Sequence, residues 1–199
     1  MVKKFVDFFV HRIDEKTAAN LRTFGFSHVC VLENRMSAGI VSGLIIYRKV
    51  LVDAWTRGDV LEAGRNFEGR AVVCVRPLTR EALMTAGRDE RIATVFVHGE
   101  IPDYDRHVDA VFKNPVEISV AELKSCYDDE KRWRNVIAFV KKAFATGKKI
   151  VMSSGAASCD EVLPPQQLAY VAAALTDQKQ QYVISVSENP LSLLSEKIR

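Results

Sequence analysis

The sequence predicts an α/β chain folded as a single (β/α)8 barrel domain over residues 1–199. Three observations carry this reading. Short apolar runs recur along the chain, amphipathic or polar stretches separate them, and no linker or low-complexity tract divides the whole. Several runs are continuous rather than alternating (VVCV, ATVFV, IVM, YVISV), which suits parallel strands covered on both faces. A doubly wound open sheet is the rival, and a count of eight strands favours the barrel.

The predicted strands are Phe5–Val10, His28–Leu32, Leu44–Val52, Ala71–Val75, Ile92–Val97, Val116–Val120, Ile150–Ser153 and Tyr182–Val186. Between the first two, Asp14 caps a helix that runs to Phe24. The link from the second to the third, ENRMSAGIVSG, reads as a loop. Arg57–Phe67 is helical and is followed by Gly69. Thr79–Ala86 begins after Pro77 and stops at Gly87. Asp128–Thr146 is the longest predicted helix, and Gly147 ends it. Pro164–Leu175 opens on prolines, whose missing N–H costs little in a first turn.

Composition narrows the class. Hydrophobic content of 48% and charged content of 27% are those of an ordinary globular protein. A net charge of +3 permits nucleic-acid binding without arguing for it, so the positions of the charges decide. Asp7 interrupts the N-terminal apolar run, which is too short and too polar for a signal peptide. No run approaches the roughly 20 apolar residues of a membrane span. The predicted location is cytoplasmic. Cys30, Cys74, Cys126 and Cys159 show no CxxC spacing and read as reduced structural thiols.

Four places invite chemistry. Barrel phosphoesterases of the polymerase and histidinol phosphatase type carry two histidines, one residue apart, at the end of their first strand. Here Phe9-Val10-His11 keeps one. His28, His98 and His107 stand at no ligand spacing to it, so no metal is expected. Ser153-Ser154-Gly155-Ala156 ends the seventh strand. It lacks the Gly-x-Ser-x-Gly of a nucleophile elbow. Its small residues either expose backbone N–H groups to an anion or let the chain turn tightly. In the long helix, Trp133, Val136, Ile137, Val140, Ala143 and Phe144 share one arc. Lys131, Arg134, Lys141 and Lys142 gather on an opposite flank, followed by Lys148 and Lys149. No acid occurs from 131 to 149, which is unusual for a merely solvated face. A second basic series (Arg57, Arg65, Arg70, Arg76, Arg80, Arg88, Arg91) is interleaved with Asp59, Glu62, Glu68, Glu81, Asp89 and Glu90. Arg76 and Arg80 are its best phosphate candidates, because they flank a strand end.

FVDFF, IATVFVHG, VEISVAELK, the Arg134-Asn135 helix leading into KKIVMSSGA, and YVISVSENPLSLL together resemble the thirty-kilodalton protein subunit of archaeal and eukaryotic ribonuclease P, the protein component 3 family. VEIS followed by SSGA is the most specific part, and Ser187-Glu188-Asn189-Pro190 supports it. The resemblance implies a TIM-like barrel, related to the phosphatase barrels but without their metal ligands. It implies a non-catalytic subunit of a ribonucleoprotein that removes the 5′ leader from precursor tRNA. The RNA subunit does that chemistry with magnesium, and this chain holds no cofactor. Expected partners are the ribonuclease P RNA, protein component 2, other ribonuclease P proteins and, indirectly, precursor tRNA, with no membrane. The candidate RNA-binding residues are Arg76, Arg80, Lys131, Arg134, Lys141, Lys142, Lys149, Ser153 and Ser154. Leu163-Pro164-Pro165 departs from the family, which often carries an arginine before that proline, so no contact is carried over there. The competing readings are a degenerate barrel phosphoesterase acting on a small phosphorylated substrate, and a protein-interaction scaffold. The phosphoesterase needs a metal set or acid–base pair that the sequence does not assemble.

Overall fold

Seven parallel strands lie side by side in the order β1 (Phe5–Val10), β2 (Phe26–Val31), β4 (Leu44–Ala54), β5 (Val72–Pro77), β6 (Thr94–Phe96), β7 (Val116–Ser119) and β8 (Ile150–Ser153). A three-residue strand, β3 (Gly39–Val41), folds back antiparallel on β4. The computed structural model describes residues 3–32, 39–178 and 181–197. Helices α1 (Glu15–Thr23), α2 (Arg57–Phe67), α3 (Arg80–Arg88), α4 (Arg106–Val111), α5 (Val120–Cys126), α6 (Glu130–Ala145) and α7 (Pro165–Thr176) follow the strands, and α8 (Gln181–Ile184) and α9 (Glu188–Lys197) end the described chain.

The helix starts follow from side chains that satisfy orphan backbone donors. Asp14 accepts from the Thr17 N–H, Asp105 from those of His107 and Val108, and Asp129 from that of Arg132. Thr56 and Asp59 form a reciprocal capping box at α2. Strand residues divide between two cores. Val29, Val73, Val75, Val95, Ile118, Ile150 and Met152 pack outward among the helices. Val6, Phe8, Cys30, Val72, Cys74, Ala93 and Val151 fill the barrel, and Leu193 and Leu194 of α9 join them from below.

The eighth predicted strand, Tyr182–Val186, is corrected by the structure: Gln181–Ile184 is helical. An apolar run this short cannot by itself distinguish a strand from a buried helical turn. The segment nevertheless occupies the missing stave. Met152 N–H donates to the Ser185 carbonyl at 3.1 Å, and Val6 N–H donates to the Val186 carbonyl at 2.9 Å. Higher up, Gly155 N–H donates to the Phe9 carbonyl at 2.9 Å and His11 N–H to that of Ala156 at 2.8 Å. The barrel is thus stitched shut by backbone bonds, although only seven of its staves are strands among the described residues.

Two further differences matter. The loop-like ENRMSAGIVSG link ends in the β3–β4 hairpin; its residues 33–38 lie outside the described residues. The region predicted as one helix over Asp128–Thr146 is preceded by a separate helix, α5, that starts at Val120. Ser119 caps it by accepting from Glu122 N–H at 3.1 Å.

Candidate nucleic-acid interface

The basic flank of α6 faces solvent. Lys131, Arg134, Lys141 and Lys142 are all exposed, while Val136, Phe139, Val140 and Ala143 are buried against the barrel. Trp133, Ile137 and Phe144 pack on the edge of that core. Two of the four cations have carboxylate partners: Arg134 pairs with Glu130 one turn away, and Lys141 with Asp177 at 2.7 Å. Both pairs are solvent-exposed, and such pairs hold weakly enough for a phosphate to displace the carboxylate. Lys131 and Lys142 have no carboxylate partner among the described residues. Beside Lys131 and Arg134 lies a shallow groove of about 490 Å³, floored by Ile101, Pro102 and Ala138. Lys149, at the foot of the barrel, is exposed; its neighbour Lys148 pairs with Asp109 at 3.1 Å.

Arg76 and Arg80 stand at the C-terminal rim. Arg76 pairs with Asp53 at 3.4 Å and lies 5.3 Å from the centre of the Phe96 ring. Arg80 pairs with Asp105 at 2.7 Å. The structure therefore brings the nine candidate residues to no single patch: α6 carries one group and the rim another.

Ser153 and Ser154 lie inside, 0% and 3% exposed. Ser154 N–H donates to Asp7 Oδ1 at 3.0 Å and its hydroxyl to the Phe9 carbonyl at 3.4 Å. Ser153 donates to Glu117 at 3.4 Å. Gly155 turns the chain with φ +68°, and a Cβ there would stand 2.8 Å from Ala121 and 2.9 Å from Ser119 Oγ. Ser-Ser-Gly-Ala closes the barrel by being small enough to fit against β7 and α5, and its two hydroxyls are not offered to the surface.

The sequence reading missed the polar centre of the barrel. Lys49 on β4 and Glu117 on β7 form an ion pair, both fully buried. Lys49 Nζ also donates to the Phe8 carbonyl at 2.8 Å and sits 4.7 Å from the ring centres of Phe8 and Phe9. Thr94 donates to the second Glu117 oxygen at 2.7 Å. Burial opposes the lysine charge, but the Glu117 carboxylate hydrogen-bonded to it favours that charge, and the lysine pKa is raised. The lone lysine and glutamate within apolar strands KVLV and VEIS were the available signal. Burial also pushes the Cys74 thiol up to about 12, and Asp7 up to about 6.

His11 is exposed at the rim, with its pKa lowered first by desolvation and then by Arg76 and Lys49 against the pull of Glu161. His98 is buried: its Nε2 donates to the Pro77 carbonyl at 2.9 Å, and desolvation lowers its pKa. His28 stacks on Tyr47 with centroids 6.0 Å apart, and His107 is exposed on α4. Among the described residues, no three His, Cys, Asp or Glu side chains gather at metal-binding distance. All four cysteines are free and buried. No described helix is long and apolar enough to cross a membrane.

No family model matches the chain. Among curated proteins, ribonuclease P protein component 3 of Aeropyrum pernix is 27% identical over 160 residues, spanning 77% of this chain and 76% of its own length. Among solved structures, a chain of the cryo-EM structure of archaeal ribonuclease P with mature tRNA superposes at TM-score 0.76 and 11% identity, over 96% of this chain and 90% of that one. A Xaa-Pro dipeptidase matches at TM-score 0.66 and 10% identity, over 98% and 75% of the two chains. The A. niger ochratoxinase matches at 0.61 and 11%, over 96% and 71%. The structural matches establish a TIM-like barrel fold, and the curated relative bears the name of the family that the sequence resembles. The chain is a homologue of ribonuclease P protein component 3.

Proposed function

We propose that the chain is a protein subunit of a ribonuclease P ribonucleoprotein, supporting RNA-catalysed removal of the 5′ leader from precursor tRNA by binding and positioning the RNA subunit. The observation that carries this is the joint match, in sequence to ribonuclease P protein component 3 and in fold to a chain of archaeal ribonuclease P over nearly its whole length. The exposed α6 cations supply a physical route. Each phosphate neutralised releases condensed counterions, so a fixed cationic face binds RNA with a salt-dependent affinity. The hydrolases of similar fold share a barrel at 10–11% identity, and their chemistry is not carried over.

Its finer parts are these. The chain acts in the cytoplasm, with protein component 2 as its nearest protein partner and magnesium supplied to the RNA rather than held here. Lys131, Arg134, Lys141, Lys142 and Lys149 meet RNA phosphates; Arg76 and Arg80 do so at the rim. Reconstitution tests the proposal. The RNA subunit and partner proteins are assayed on precursor tRNA with and without this chain, across a magnesium series. The chain should raise cleavage or lower the magnesium required, and by itself cleave nothing. Activity unchanged by its omission at every magnesium concentration would sink the assignment.

A further inference from the structure

Trp55 is 63% exposed, although an indole is among the most apolar surfaces a chain can present. It is the first residue past β4, on the C-terminal rim. Its backbone is fixed from two sides. Its N–H donates to Asp59 Oδ2 at 2.8 Å, and its carbonyl accepts from Thr79 Oγ1 at 2.5 Å. Ala54 and Leu78 are joined just beneath by a 2.8 Å backbone bond. The ring makes no stacking or cation–π contact with any described residue. A held, uncovered aromatic is a surface waiting for a flat partner.

Its surroundings define that partner. Asp53, Thr56, Arg57 and Gly58 are all exposed, so the indole is not the centre of an apolar patch of the kind a protein partner would bury. Arg57, two residues on, has no carboxylate partner among the described residues. Arg80 follows Thr79 and shares its charge with Asp105, while Arg76 shares its own with Asp53 and leaves its Nε without a hydrogen bond. Asp59 is occupied by the backbone N–H groups of Trp55 and Thr56. One flat apolar face flanked by arginines matches an unpaired nucleotide: the base stacks and the phosphates meet guanidinium groups.

We propose that Trp55 is a stacking platform for an unpaired base of the bound RNA, with Arg57 and Arg80 taking the adjoining phosphates. This rests on the RNA-binding reading and adds to it a preference for single-stranded segments. β4 stands three strands away from β7 in the sheet, so the platform and the α6 stripe lie on different sides of the barrel and can be separated by mutation.

The chain has two tryptophans, so Trp133→Phe leaves Trp55 as the sole tryptophan, which excitation beyond the tyrosine absorption band reads selectively. Titration of that variant with single-stranded oligoadenylate of about ten nucleotides should quench its fluorescence by stacking. Trp55→Ala should weaken oligoadenylate binding roughly tenfold, and Trp55→Phe should restore part of the loss. Affinity for a fully paired, blunt-ended RNA duplex should not move. If the chain binds RNA through α6 while Trp55 emission stays unchanged, the platform is wrong and the RNA-binding reading stands. Emission that responds to the partner protein and not to oligoadenylate would overturn the platform in favour of a protein contact. A chain that binds neither RNA would overturn both.

Discussion

Lys49 and Glu117 carry opposite charges in the middle of the barrel, and neither has water to fall back on. Removing one partner leaves the other charged and buried, which costs about 3–5 kcal/mol, whereas replacing both with apolar residues of similar volume is often neutral. Lys49→Met and Glu117→Leu should therefore each destabilise strongly, and the double variant should recover most of the loss in urea denaturation. Two large losses that simply add would show that the pair is not coupled. Asp7 makes a pH-dependent contribution of opposite character. Burial raises its pKa from 3.8 to about 6, partly offset by hydrogen bonds from Ser154 and Phe9, and its Oδ2 has no partner among the described residues. The folded chain then binds more protons than the unfolded one between these values, so stability falls as pH rises through about 4 to 6. The ceiling is about 3 kcal/mol, two units at roughly 1.4 kcal/mol each. Asp7→Asn keeps an acceptor for the two backbone donors and should flatten that slope. A wild-type stability curve flat over this range would contradict the raised pKa.

The α6 stripe was legible in the sequence because helical period alone puts Lys131, Arg134, Lys141 and Lys142 on one side of the Trp133–Phe144 arc. Changing Arg134, Lys141 and Lys142 to alanine should weaken RNA binding and reduce its salt slope by about two units, at roughly 0.7–0.9 per lost phosphate contact. Folding should survive, as exposed substitutions stay within about 0.5 kcal/mol each; circular dichroism checks this. An intact triple variant with an unaltered slope would reduce the stripe to a solvated face.

Other elements were less legible, for identifiable reasons. YVISV has the composition of a strand, yet the barrel needs only the two carbonyls of Ser185 and Val186 from it. The burial of Ser153 and Ser154 depends on Asp7, Phe9 and Glu117, which are remote in sequence and share no period with them. Trp55 offers no pattern at all: only its exposure marks it. SENPLSLL could be matched to a family, but that it forms a helix capping the barrel floor emerged from three-dimensional packing. There Asn189 Nδ2 donates to the Ile150 carbonyl at 2.7 Å, and Leu193 and Leu194 are 3% and 4% exposed. Leu193→Ala and Leu194→Ala should each cost about 2–5 kcal/mol by thermal or chemical unfolding, because they empty the base of the barrel filling. A loss under about 0.5 kcal/mol, typical of surface sites, would mean that α9 does not plug it.

Across the whole molecule, the parts divide by depth. The interior carries a satisfied ion pair, inert thiols and small residues at the seam. The exterior carries exposed cations on α6 and an uncovered indole with arginines on the rim. Nothing in this division requires the chain to react with RNA; it requires a rigid body that holds separated contacts at fixed spacing. Rigidity depends on the seam, where Val6 meets Val186 and Met152 meets Ser185. Val6 and Val186 come from opposite ends of the described chain, and the ribosome makes them far apart in time, at about 5–20 residues per second. Until Ser185 and Val186 emerge, β1 has an unfilled edge next to a nascent sheet that cannot close, and such an edge invites pairing with other chains. Nascent chains arrested before Ser185 should remain sensitive to protease, and those arrested far enough beyond Leu194 to clear the exit tunnel should resist it. Translation itself would then set the moment at which this barrel closes.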